Sequence, residues 1–98
     1  MARILVFVSI CVEKLTLDDV VRALCQFPSV EELYEVTGKF NLVALVSAAD
    51  VEDFGDFLKH KILKISGVRS TVTSIVFNAP KSPKHLTQAQ VDHAIATR

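Results

Sequence analysis

The sequence predicts one α+β domain whose strands and helices run in the order β-α-β-β-α-β. Three observations carry that prediction. Two segments of helical period each lie between apolar runs rich in Val, Ile and Leu, and the punctuating residues Pro28, Gly38 and Gly67 fall at the joints. The two halves also echo one another: Phe27-Pro28-Ser29-Val30 leads from the first helix into a strand, and Ile65-Ser66-Gly67-Val68 does the same after the second. A chain of 98 residues supports one core, because two independent cores of half that size would bury too little to offset chain entropy.

Residues 2–12 are rich in Ile, Val, Leu and Phe and free of Gly and Pro, as in a largely buried strand. Thr16 is placed to cap a first helix, with Asp18 and Asp19 in the turn where carboxylates suit the dipole. Leu17, Val20, Val21, Leu24 and Cys25 then share one helical face, and Pro28 ends the segment. A strand over 30–36, a turn over 37–41 containing Gly38, and a strand over 42–47 make a hairpin. Asp50 caps the second helix, which places Val51, Phe54, Phe57, Leu58, Ile62 and Ile65 on one face and stops at Gly67. Gly55 inside it costs about 1 kcal/mol against Ala; a close backbone approach is one explanation and chance is the other. The last strand, 68–77, is dense in β-branched residues. Pro80 and Pro83 open a tail in which Thr87 and Gln90 form a capping box for a short helix to about Ala96.

A duplicated split βαβ unit is the pattern of a ferredoxin-like fold. The expected architecture is a ferredoxin-like βαββαβ sandwich of the dimeric α/β barrel type over residues 1–79, with a C-terminal helical tail over 80–98. Both helices would cover one face of a four-stranded antiparallel sheet. The other face, left apolar, would pair with a second copy in a homodimer.

Composition narrows the function classes. Lys plus Arg equal Asp plus Glu at eleven each, whereas phosphate neutralisation calls for a basic excess, so direct nucleic-acid binding is not expected. The apolar runs 4–8 and 42–46 are far too short to span a membrane. No small-residue cleavage site follows the first of them, so it is not read as a signal peptide. Two cysteines, Cys11 and Cys25, fit reduced thiols packed as small hydrophobes in a cytoplasmic protein. His60, His85 and His93 lack metal-ligand spacing, and three glycines cannot write a phosphate loop, so neither metal nor cofactor is expected.

Two stretches carry a family resemblance. Pro28-Ser29-Val30 followed by Glu35-Val36-Thr37-Gly38-Lys39-Phe40-Asn41, and then residues 66–76, Ser-Gly-Val-Arg-Ser-Thr-Val-Thr-Ser-Ile-Val, resemble the ligand-responsive (RAM) domain of Lrp/AsnC regulators. The likeness covers roughly residues 3–78. It implies a dimer, with dimers assembling into octamers or other rings, and small effectors, usually amino acids, bound in clefts between dimers. Carried over position by position, it points to Gly38, Phe40, Asn41, Thr71 and Thr73 as effector-binding residues. The family's turn usually ends in Asp, and this chain has Asn41 there. With the first strand starting near Met1, the sequence is read as a stand-alone form lacking the helix-turn-helix, able to co-assemble with full-length Lrp/AsnC regulators.

Each of these residues also has a purely structural reading. Gly38 meets the positive φ of a hairpin turn, Asn41 satisfies its own turn backbone, and Thr71 and Thr73 share a strand face with Ile75. Two other functions stay open at this stage: a structural adaptor whose cleft no longer binds an effector, and a dimeric α+β barrel enzyme. The enzyme would need a constellation of His, Asn or Trp that the predicted strands do not supply.

Overall fold

The structure is a computed structural model and describes residues 3–81. Four strands, β1 (Ile4–Val12), β2 (Val30–Glu35), β3 (Leu42–Ala48) and β4 (Val68–Ile75), form one antiparallel sheet in the order β2-β3-β1-β4. Helices α1 (Leu17–Cys25) and α2 (Val51–His60) complete the ferredoxin-like α+β fold.

The core follows from strand alternation. Val6, Val8, Ile10 and Val12 of β1 face the helices, and their partners across β3 are Val46, Ala44 and Leu42; all are buried. From above, α1 contributes Val20 and Leu24, one turn apart and fully buried, while α2 contributes Phe54. Each such large aliphatic or aromatic side chain stabilises the fold by about 1.5–3 kcal/mol relative to exposure. Phe27 and Phe57 meet edge-to-face, 5.3 Å between centroids, and tie the end of α1 to α2.

Several local expectations are corrected. Thr16 does not cap α1. A 3₁₀ turn over Lys14–Thr16 precedes the helix, Thr16 lies at φ −105° and ψ 5°, and its hydroxyl donates backwards to the Glu13 carbonyl at 2.8 Å. That backbone is not the extended one an N-cap needs. Asp50 does cap α2, accepting from the Asp53 N–H at 2.8 Å, while the Asp53 carboxylate accepts from the Ala49 N–H at 3.0 Å. α2 ends at His60 rather than at Gly67. Ile62 reaches the core from a separate 3₁₀ turn, Ile62–Lys64, so a continuous apolar period spans a break in the helix.

Among the described residues, no atom outside its own helix lies within 4 Å of a Cβ built on Gly55, so a close backbone approach does not account for that glycine here. Cys25 is exposed, about 100° round the helix from Leu24, rather than packed; Cys11 is half-buried. β2 stops one residue early: the Val36 N–H still donates to the Asn41 carbonyl at 2.9 Å, but the Asn41 N–H goes to the Ile10 carbonyl instead of returning the bond to Val36. β4 stops at Ile75; Val76 still donates to the Leu5 carbonyl, but Phe77 projects 98% exposed. The start of the first strand moves from Ala2 to Ile4, and β3 gains Ala48. The capping box at Thr87 and Gln90, the tail helix, His85 and His93 lie outside the described residues.

Among the described residues, no helix lies on the second face of the sheet. Phe7, Ser9 and Cys11 of β1 lie beside Leu45 and Val43 of β3, with Val72 and Ser74 on one flank and Tyr34 on the other. Phe7 is 42%, Tyr34 45% and Val72 52% exposed, while Leu45 is buried among its neighbours.

Candidate functional site

The loop between β2 and β3 is held by main-chain bonds at both ends. Val36 donates to Asn41, and the Asn41 N–H donates to the Ile10 carbonyl at 3.0 Å. Gly38 sits at φ +112°, in the region that L side chains rarely adopt, so it turns the hairpin at low cost. Lys39 places its ammonium 5.9 Å from the centroid of the half-buried Phe40 ring.

Asn41 does more than turn the chain. Its Oδ1 accepts the Val12 N–H at 2.7 Å. Ile10 and Val12 aim their main-chain groups at β3, and the regular ladder on that side reaches only to the Ile10–Leu42 pair. Where β3's backbone turns away, the Asn41 side chain supplies the acceptor that Val12 would otherwise lack. An unpartnered buried N–H costs about 1–3 kcal/mol, so this contact has a structural value independent of any ligand.

On the other edge of β1, Thr71 pairs with Ile10 and Thr73 with Val8. Both threonines, with Ile75, face the helix side of β4; Thr71 is half-buried and Thr73 exposed. Asn41 and Thr71 therefore flank the same end of β1 from opposite sides. Gly38 and Phe40 stand out on the hairpin, and Thr73 lies one pleat farther along. A separate cleft of about 280 Å³, lined by Ser29, Ser47, Asp53, Phe57 and His60 among others, opens at the far end of β3 and contains none of the five.

The segment next to this end is pinned by contacts that the sequence did not signal. Glu13 donates its N–H to the Gly67 carbonyl at 2.7 Å, and its carboxylate pairs with Arg69. The hydrogen bond and charge of Arg69 hold the Glu13 carboxyl below its ordinary range. Gly67, read from sequence as a helix stop, lies at φ +101°, and a Cβ there would fall 2.0 Å from Thr16 Oγ1. On the open face, the Tyr34 hydroxyl donates to Glu32 at 2.6 Å, which raises the phenol pKa. Among the described residues, no group of three or more His, Cys, Asp or Glu is arranged to hold a metal, and no helix is long and apolar enough to cross a membrane.

Comparison with known proteins decides the family. The Lrp/AsnC ligand binding domain matches residues 5–86. The chain belongs to that family. A helix-turn-helix-type transcriptional regulator of Pyrococcus horikoshii is 33% identical over 79 residues, which are 81% of this chain and 50% of the regulator. The Lrp/AsnC domain thus spans about half the length of the curated relatives it matches. Among solved structures, TTHA0845 from Thermus thermophilus is 37% identical with a TM-score of 0.76, covering 81% of this chain and 99% of its own. The feast or famine regulatory protein Rv3291c of M. tuberculosis, complexed with L-methionine, is 28% identical with a TM-score of 0.72, covering 85% of this chain and 56% of its own.

Proposed function

We propose that this Lrp/AsnC domain is a small-molecule sensing and oligomerising unit whose effector is an amino acid. The observation that carries the reading is the L-methionine complex of Rv3291c, whose matched part has the same fold as 85% of this chain. In this reading Gly38, Phe40, Asn41, Thr71 and Thr73 line an effector cleft completed by a neighbouring dimer. Their arrangement suits that role: they cluster loosely about one end of β1, on a hairpin and an edge strand that a second dimer can reach.

Dimerisation is supported by the open sheet face, where Phe7, Tyr34, Val43 and Val72 form an apolar surface that no element among the described residues covers. Rings of dimers, octamers among them, and mixed assemblies with full-length regulators would follow from a second contact through the cleft. Effector binding would then bias assembly by its differential affinity for the assembled states. Within such assemblies, in the cytoplasm, this domain would contribute effector binding and subunit contacts rather than contacts to DNA. Its balanced charge agrees with that division of labour.

Isothermal titration calorimetry of the purified protein with each of the twenty amino acids tests the proposal. At least one should bind, and Thr71→Ala should weaken it about tenfold, the loss of one hydrogen bond. Absence of binding by every amino acid would overturn the amino-acid reading.

A further inference from the structure

The hydrogen bond from Val12 fixes which way the Asn41 amide points. An N–H donor can be accepted only by the carbonyl oxygen of an amide, so Oδ1 faces β1 and Nδ2 occupies the opposite edge. Asn41 is half-buried, and its Nδ2 makes no hydrogen bond among the described residues. The hairpin therefore presents outward a pair of N–H donors from this side chain.

The rest of the loop has the same polarity. Residues 36–41, Val-Thr-Gly-Lys-Phe-Asn, contain no carboxylate, and their one charge is the exposed Lys39 ammonium beside Phe40. An aspartate in place of Asn41 would also accept from Val12, but its second oxygen would then face outward as an anionic acceptor, suited to an ammonium group. Asn41 reverses that polarity. Thr71 and Thr73 add hydroxyls but no charge, and the Glu13 carboxylate is already engaged by Arg69. Glu35, the nearest carboxylate in sequence, sits opposite Leu42 at the base of the hairpin.

We infer that this loop grips its effector by a carboxylate rather than by an α-ammonium, with Asn41 Nδ2 and Lys39 as donors, so that small 2-oxo acids are ligands alongside amino acids. The inference rests on the effector-sensing reading above and specifies the chemistry of that site. An α-ammonium is matched best by a carboxylate, and the acceptors of this loop are all neutral: its main-chain carbonyls and the Thr37 hydroxyl. A carboxylate gains charge-assisted hydrogen bonds from both donors. The amino group then becomes dispensable, and the side-chain pocket sets selectivity among carboxylic acids.

The test is calorimetric titration of the wild-type protein with the twenty amino acids and with the 2-oxo acids that share their side chains. The expected result is that a binding amino acid and its 2-oxo counterpart differ by about threefold or less. Asn41→Asp should weaken the 2-oxo acid by about tenfold or more, through charge repulsion at the same site, while keeping the Val12 contact and the melting temperature. Glu35→Gln should leave both affinities unchanged. A wild-type protein that binds an amino acid but binds its 2-oxo acid about a hundredfold more weakly would overturn the inference and leave the sensing reading standing. Binding of neither class would overturn the sensing reading and the inference with it. The wild-type comparison decides between these outcomes even if a variant fails to fold.

Discussion

Gly67 joins two requirements at one residue: a backbone at φ +101° and the near contact of Thr16, whose Oγ1 and Cβ would lie 2.0 and 2.8 Å from an added Cβ. Gly67→Ala should therefore destabilise the domain by about 2–3 kcal/mol in urea denaturation, combining backbone strain with a steric clash. Thr16→Ala alone should cost about 1 kcal/mol, the hydrogen bond from its hydroxyl to Glu13. The double variant should cost less than the sum, because removing Oγ1 relieves part of the clash; strict additivity would refute the contact. The glycine was legible in the sequence as a stop, but the contact was not. Thr16 and Gly67 are brought together only by the pairing of β1 with β4, and no local pattern records that. Asn41 was legible as a turn or ligand residue, whereas its bond to Val12 depends on where the β1–β3 ladder ends.

Elements were read best where burial is continuous. β1 and β3 lie at the centre of the sheet, and their apolar runs matched their extents to within two residues. Spacing was a poorer guide at helix ends, because a 3₁₀ turn can keep Ile62 facing the core after α2 has stopped. Gly55 gives an element-scale prediction. It lies inside α2 with open space around its Cβ position, so Gly55→Ala should stabilise the domain by about 0.5–1 kcal/mol, seen as a higher denaturation midpoint. A lower midpoint would mean that a second copy closes on this stretch of the helix. The junction between β1 and β4 predicts a pH effect. Arg69 holds the Glu13 carboxyl below its ordinary value of 4.5, so the folded state favours the carboxylate more than the unfolded chain does. The resulting stabilisation is fully present above pH 4.5 and is lost as pH falls through the lowered value. Glu13→Gln should make the acid limb of the stability profile shallower; an unchanged limb would show that the pair contributes nothing to folding.

At the scale of the molecule, the sheet divides the protein into a closed half and an open one. Helices α1 and α2 complete the core on one side, and the other side leaves Phe7, Tyr34 and Val72 between two-fifths and just over one-half exposed. The two-sided character of the sheet was visible in sequence, since β1 and β3 are apolar at both odd and even positions. The proposed effector site was less visible, because its candidate residues lie on both sides of β1 and the cleft proposed for them needs another subunit. Fold order and family follow from one chain; the proposed site belongs to the proposed assembly. Light scattering on the purified wild-type protein at micromolar concentration, with Phe7→Glu alongside, tests this most directly. The expected result is a dimer or a multiple of dimers for the wild type, and a monomer for Phe7→Glu, whose charge would be buried at the centre of the sheet-to-sheet contact. A wild-type protein that stays monomeric would contradict the proposed assembly.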